Sequence, residues 1–146
     1  MPVEPLSLYL HIPFCTTKCT YCAFNTYTNL ERLIPAFVDA LSTEIALASR
    51  ASGAGRRVVR SIFFGGGTPS LLSAAQFETI LRTITDHFVV LPEAEITLEA
   101  NPNDIDLAYC RDLRSLGLNR ISLGMQSVNA NELRLFARRH DNDAVA

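Results

Sequence analysis

The chain has 146 residues, of which 48% are hydrophobic and 19% charged, and its formal net charge is −2 at pH 7. This length is enough for one domain with a hydrophobic core, and the balance of charge lacks the basic excess typical of nucleic-acid-binding proteins. No apolar run approaches the roughly 20 residues that would span a bilayer. Residues 1–4 lack the positive region of a signal peptide, so we expect a cytoplasmic protein.

The first predicted strand covers residues 6–12 and ends at Pro13. Cys15, Cys19 and Cys22 follow directly, with the spacing C-x3-C-x2-C. Three thiolates on one loop can ligate three irons of an iron–sulfur cluster and leave the fourth iron without a protein ligand. The spacing therefore predicts a cluster whose open iron binds a small molecule.

Two other interpretations of these cysteines are weaker. A disulfide framework is disfavoured, because an odd cluster of cysteines in a chain without a secretory segment fits a reducing compartment. A structural zinc site is the stronger alternative, with the three cysteines and His11 as ligands. However, zinc loops usually carry two short paired motifs, and the sequence has no second pair. No acidic residue lies between Glu4 and Glu31, and Lys18 lies between two of the cysteines, which suits a site rich in thiolates.

Helix and strand patterns alternate through the next part of the chain. Helical periodicity begins at Ile34 and ends at the glycine-containing residues 51–55. The second predicted strand covers residues 58–64 and is apolar enough to be buried on both faces. The second helix begins at Ser73, which has the spacing of a capping box with Gln76.

The same alternation continues to the end of the sequence. The third predicted strand covers residues 95–99, and a turn at residues 101–104 leads into the third helix. The fourth strand covers residues 120–124, and the fourth helix covers residues 129–138. The predicted inward face of the third helix consists of Leu107, Cys110, Leu113 and Leu116.

Four successive strand–helix units predict parallel strands joined by right-handed crossovers. The predicted fold class is α/β, with parallel (β/α) units that form the N-terminal part of a partial TIM-type barrel. Four units do not close a barrel. We therefore expect residues 1–146 to be the N-terminal portion of a core domain whose C-terminal remainder is absent.

Unusual residues follow the carboxyl end of each predicted strand, where barrels of this kind carry their sites. Residues 65–69, Gly-Gly-Gly-Thr-Pro, would let a ligand approach bare backbone, although they lack the G-K-[ST] ending of a Walker loop. The third strand ends in Glu99, and Gln126 and Arg138 follow the fourth. Each of these alone is typical of a turn or a solvated surface. Their coincidence at successive strand ends predicts one shared site.

C-x3-C-x2-C with an aromatic residue before the third cysteine resembles the radical S-adenosylmethionine (SAM) superfamily. The strings Tyr-x-His-x-Pro-Phe-Cys, Phe-Gly-Gly-Gly-Thr-Pro-Ser, Glu-Ala-Asn-Pro and Asn-Arg-Ile-Ser-Leu-Gly-Met-Gln-Ser resemble the oxygen-independent coproporphyrinogen III oxidase family. The resemblance implies that Cys15, Cys19 and Cys22 bind a [4Fe–4S] cluster, that SAM chelates its fourth iron, and that reduction yields a 5′-deoxyadenosyl radical. It implies SAM contacts from Tyr9, Gly66, Gly67, Thr68, Glu99, Gln126 and Arg138.

One position departs from the oxidase pattern. The oxidase resembles C-x3-C-x2-C-x-C, and here Phe24 stands where its additional cysteine falls. This replacement is similar to the haem-chaperone (HemW-like) branch, which implies haem as cargo. The implied partners are a haem-acceptor protein and a one-electron reductant protein, with no nucleic acid. A radical decarboxylase and a zinc-stabilised binding module are the alternatives, and the sequence leaves open whether the protein is an enzyme.

Overall fold

The computed structural model describes residues 4–51 and 57–138. No helix within these residues is long and apolar enough to cross a membrane. The strands and helices in chain order are β1 (Leu6–Ile12), β2 (Phe14–Cys15), β3 (Tyr27–Thr28), α1 (Ile34–Ala51), β4 (Val58–Gly66), α2 (Ala74–His87), β5 (Val89–Ala100), α3 (Leu107–Ser115), β6 (Arg120–Leu123) and α4 (Ala130–Leu135).

The main sheet has four strands in the order β1-β4-β5-β6, and every neighbouring pair is parallel. Each new strand of this sheet therefore adds beside its predecessor in the chain, and a helix follows each one. This is the winding expected of (β/α) units. The predicted parallel α/β class is confirmed.

Side chains that alternate along the strands divide the sheet into two unlike faces. On one face, strand residues such as Leu98 join a single buried cluster with α1, α2 and α3. Phe64 of β4 packs edge-on against Phe77 of α2, with ring centroids 5.0 Å apart. On the other face, Phe63 is only partly buried and stacks on Tyr9, with ring centroids 6.1 Å apart. The prediction that the second strand is buried on both faces is therefore wrong.

Two strands are longer than the sequence predicted. β4 extends through Gly66, into the glycine-rich segment. β5 begins at Val89 instead of residue 95. Its pairing with β4 is irregular, because Val59 pairs with Val90 but Ser61, only two residues later, pairs with Glu95. Pro92 lies in this irregular part, where its missing N–H removes no regular ladder hydrogen bond.

The helix predictions succeed where a local signal marks the boundary. Ser73 caps α2, and its capping box with Gln76 is present with both hydrogen bonds. The predicted inward face of α3 is wrong at Leu107, which is 66% exposed, whereas Leu113 is buried. The predicted end of the first helix falls partly on residues 52–56, which lie outside the described residues.

The fourth helix is shorter than the predicted range of residues 129–138. Asn129 caps it, and the helix ends at Leu135. Ala137 then has a φ of +54°, a left-handed conformation that an α-helix cannot contain. Arg138 therefore lies on a turn after the helix.

Candidate functional site

The three clustered cysteines lie on a loop that short strands hold at both ends. We call residues 15–22 the cysteine loop. β2 pairs in parallel with β3, so that Cys15 faces Thr28, and the Tyr27 N–H donates to the Pro13 carbonyl at 2.8 Å. Cys15 is buried, while Cys19 and Cys22 are partly buried, and all three are free thiols.

The glycine turn (residues 65–69) packs directly on the chain that leads into the cysteine loop. The Gly67 N–H donates to the Ile12 carbonyl at 2.8 Å, and the Thr68 N–H donates to the Phe14 carbonyl at 2.7 Å. A Cβ on Gly67 would lie 2.5 Å from the Phe14 carbonyl oxygen. The missing side chain at Gly67 thus allows a close approach of two backbone segments, a reason that the sequence analysis did not anticipate.

Gly66 is constrained by its conformation and by its neighbours. Its φ is +112°, and an added Cβ would lie 2.5 Å from the His11 ring. Its N–H donates to the Glu99 carboxylate at 3.1 Å. Glu99 therefore joins the end of β5 to the glycine turn.

His11 links β1 to the segment that returns from the cysteine loop. Its Nε2 lies 2.9 Å from the Asn25 carbonyl oxygen, and its Nδ1 lies 3.1 Å from the Tyr9 hydroxyl. Because a carbonyl only accepts hydrogen bonds, Nε2 carries a proton, and in a neutral imidazole Nδ1 then accepts from the Tyr9 hydroxyl. Both ring nitrogens are engaged, which argues against His11 as a zinc ligand.

Arg138 reaches the cysteine loop from the turn after α4. Its Nη1 donates to the Cys19 sulfur at 3.3 Å, and its Nη2 donates to the Gly124 carbonyl at 2.6 Å. Its Nε is buried and has no hydrogen-bond partner within residues 4–51 and 57–138. One guanidinium thus connects the cysteine loop with the end of β6, and its Nε stays without a partner among the described residues.

These elements enclose an open cavity of about 330 Å³ at the carboxyl end of the sheet. Its volume falls within the range of small-molecule sites. Tyr9 does not line the cavity, and its side chain is 60% exposed. The part of it that is buried, and then the charge of Glu99, raise its pKa above the ordinary value. The other predicted site residues all line the cavity: Cys15, Cys19, Cys22, Gly66, Gly67, Thr68, Glu99, Gln126 and Arg138.

Comparison with known proteins shows the family of the chain. The family model described as Radical SAM superfamily matches residues 9–146. The chain belongs to the radical SAM superfamily. The resemblance to this superfamily predicted from the sequence is confirmed.

Two kinds of curated relative are similar to this chain. Heme chaperone HemW of Mycobacterium tuberculosis (strain CDC 1551 / Oshkosh) is 43% identical over 149 residues, which cover 100% of this chain and 38% of that protein. Oxygen-independent coproporphyrinogen III oxidase of Escherichia coli (strain K12) is 37% identical over 145 residues, which cover 99% of this chain and 31% of that protein.

A solved structure shows the same fold. The coproporphyrinogen III oxidase (HemN) from Escherichia coli, described as a radical SAM enzyme, superposes with a TM-score of 0.88 at 35% identity. The match covers 97% of this chain and 32% of that one. The chain therefore spans about a third of the length of these relatives.

The cavity is also lined by residues that the sequence analysis did not predict as cluster or SAM contacts. Lys18, Phe24, Thr26, Asn101 and Ser122 line it. Thr26 is only 7% exposed, and its hydroxyl has no hydrogen-bond partner within the described residues. No local sequence signal marks Thr26, since its burial depends on how the loop folds back.

The three free thiols have the chemistry that an iron–sulfur cluster needs. Within the described ranges, no three His, Cys, Asp or Glu side chains are grouped to hold one metal ion. A [4Fe–4S] cluster ligates each thiolate through a different iron, so its cysteines surround the cluster and do not converge on one atom. Hydrogen-bond donors also face two sulfurs: Thr68 Oγ1 lies 3.6 Å from the Cys15 sulfur, and Arg138 Nη1 contacts Cys19.

Proposed function

We propose that this protein binds a [4Fe–4S] cluster through Cys15, Cys19 and Cys22, binds SAM beside it, and works as a haem chaperone that transfers haem to an acceptor protein. When bound, the cluster supplies one-electron chemistry, and SAM is the precursor of a radical. The support is the family membership together with three free thiols on the wall of one cavity.

The charges around the cavity suit the zwitterionic amino-acid part of SAM. Within the described wall, Glu99 is the single carboxylate, and Lys18 and Arg138 are the cations. A carboxylate holds an ammonium group or ribose hydroxyls, and a guanidinium holds a carboxylate through two donors. The Nε of Arg138 is buried and has no hydrogen-bond partner among the described residues, which supports this assignment. Tyr9 would contribute indirectly, through its hydrogen bond to His11.

The choice of a haem chaperone depends on Phe24. The oxidase-like pattern has a cysteine at this position, whereas here a phenylalanine, 69% exposed, lines the cavity. A phenyl ring cannot supply a thiolate. Overall identity does not decide between the branches, because the oxidase of Synechocystis sp. (strain ATCC 27184 / PCC 6803 / Kazusa) is 42% identical over 127 residues.

The decisive experiment measures haem binding and coproporphyrinogen turnover with the same anaerobically reconstituted protein. We expect a Soret band that titrates with haem, haem transfer to an acceptor apo-protein, and no decarboxylated porphyrinogen. Phe24→Leu is the matched control, since it preserves an apolar side chain, and it should keep haem binding. Turnover of coproporphyrinogen by the unmodified protein would reject the chaperone.

A radical decarboxylase is the second candidate, and the superposition on the oxidase structure favours it. It predicts release of 5′-deoxyadenosine when SAM, coproporphyrinogen and a reductant are present together. Failure to detect that product would count against this candidate. Either function needs a one-electron reductant protein as a partner.

The free cysteines also bear on the compartment in which the protein works. Four free cysteines suit the reducing cytoplasm, which is the compartment that we propose. That residues 1–146 form the N-terminal portion of a radical SAM core domain stays a prediction.

A further inference from the structure

The last residue of α4 and the turn after it contact three consecutive residues of the cysteine loop, Cys19, Thr20 and Tyr21. We call residues 135–138 the clamp turn. Thr20 Oγ1 donates to the Leu135 carbonyl at 2.8 Å. The rings of Tyr21 and Phe136 meet edge-to-face, with centroids 5.2 Å apart and an interplanar angle of 77°. These contacts join parts of the chain that are more than a hundred residues apart.

The third contact is between charged or ionisable groups. Arg138 Nη1 lies 3.3 Å from the Cys19 sulfur, while Nη2 of the same side chain is anchored on the Gly124 carbonyl at 2.6 Å. The backbone anchor at Gly124 therefore holds the guanidinium against the Cys19 sulfur.

We propose that Arg138 donates a hydrogen bond to the Cys19 sulfur and thereby raises the reduction potential of the cluster bound there, with Thr20 and Phe136 as positioning residues for this contact. The proposal rests on the proposed function, because it requires a cluster on Cys19. It concerns the energy of the cluster and is separate from any contact that Arg138 makes with SAM.

The physical reason is the charge that reduction adds. A reduced cluster carries one more negative charge, and hydrogen bonds to its sulfurs and nearby cations stabilise that charge. Arg138 supplies both, in a partly buried place where water screens less than on the surface. A guanidinium has five N–H donors, so a bond from Nη1 to sulfur leaves Nε, which has no partner in the described part of the chain, for a second contact.

The first test is a redox titration of the anaerobically reconstituted protein without SAM, followed by EPR. At a fixed ambient potential, Arg138→Gln should lower the ratio of reduced to oxidised cluster about tenfold, which is a shift of about 59 mV for one electron. Arg138→Lys should lower this ratio less, since lysine keeps the positive charge. Arg134→Gln is the matched control, because it removes an exposed cation on α4 and should leave the potential unchanged.

The second test reports on the positioning residues without any cluster. The Cys22 N–H donates to the Cys19 carbonyl at 3.1 Å, so its hydrogen exchange reports on the order of the loop. In the apo-protein, Thr20→Val should speed exchange of this amide, whereas Thr20→Ser keeps the hydroxyl and should restore protection. Circular dichroism should show the same thermal unfolding for both variants.

The outcomes separate this inference from the proposed function. A wild-type protein that binds no iron and sulfide would overturn both. A normal cluster whose potential does not change in Arg138→Gln, or changes equally in Arg134→Gln, would overturn only the role of Arg138. Equal exchange in Thr20→Val and Thr20→Ser would overturn the positioning role of Thr20.

Discussion

The carboxylate of Glu99 accepts a hydrogen bond from the Gly66 backbone N–H at 3.1 Å, and this bond joins the ends of two neighbouring strands. The same carboxylate lines the cavity that contains the three cysteines. Glu99 can therefore support the glycine turn and contact a ligand, and substitutions can separate the two roles.

Glu99→Gln should weaken SAM binding and leave the iron content unchanged. Glutamine keeps a carbonyl oxygen for Gly66 but loses the negative charge, so we expect roughly tenfold weaker binding, about 1.4 kcal/mol. Calorimetric titration of the reconstituted protein with SAM checks this. Glu95→Gln is the control, since Glu95 pairs with Arg120 on the same sheet face and does not line the cavity. Iron loss in Glu99→Gln would show that the residue is structural.

Gly66→Ala should destabilise the fold more than Gly117→Ala. Both glycines have a positive φ, so each substitution carries a backbone cost of about 1–3 kcal/mol. Only at Gly66 would the new Cβ also meet the His11 ring, at 2.5 Å, whereas at Gly117 the nearest atom is 3.9 Å away. Displacing His11 would further weaken its bonds to Tyr9 and Asn25, about 1 kcal/mol each. Urea unfolding of both variants measures the difference, and equal losses would contradict the steric argument.

Cys19→Ala should abolish the cluster and leave the apo-protein folded, because this side chain is partly exposed on a loop and lies outside the buried hydrophobic cluster. Iron and sulfide analysis tests the first part, and thermal unfolding of the apo-protein tests the second. Cys110→Ala is the matched control on α3 and should retain its iron. Global unfolding of Cys19→Ala would mean that the loop contributes more to the core than its burial indicates.

Tyr109 should make the stability depend on alkaline pH. Burial, and then the neighbouring Asp104 and Cys110, raise its pKa above the ordinary value, and its hydroxyl donates to the Leu72 carbonyl at 2.6 Å. Folding thus favours the protonated phenol, so its stabilisation is complete below the ordinary pKa of about 10 and is lost as the pH rises through the folded-state pKa.

Denaturant unfolding between about pH 9 and pH 11 checks this dependence. Tyr109→Phe should start less stable, because it lacks the hydrogen bond, and its free energy of unfolding should fall less steeply with pH. Parallel pH curves for the two proteins would show that another group causes the alkaline loss.

The sequence predicted those features that depend on neighbours along the chain. The capping box of Ser73 and Gln76, the first strand and the order of strand–helix units all have local signals. The placement of the cysteines, the glycine turn and Glu99 around one cavity was predictable because parallel strands bring their carboxyl ends to one edge.

The remaining features depend on partners that are distant in sequence. The segment after Leu135 has residues that suit a helix, yet it ends the helix where it meets Thr20 and Cys19. The early start of β5 was hidden by Pro92, which an irregular pairing accommodates. The hydrogen bonds of His11 were equally unpredictable, because its partner Asn25 reaches it only after the loop folds back.

The winding of the sheet also bears on how the protein is made. Each β/α unit can dock on its predecessor as it leaves the ribosome, because strand neighbours in the sheet are neighbours in synthesis. The contact between Cys19 and Arg138 spans 119 residues, so the nascent chain must finish nearly the whole described fold before this bond can form. Until then the Cys19 sulfur lacks its hydrogen bond from Arg138, and cluster insertion is expected to follow synthesis of the clamp turn.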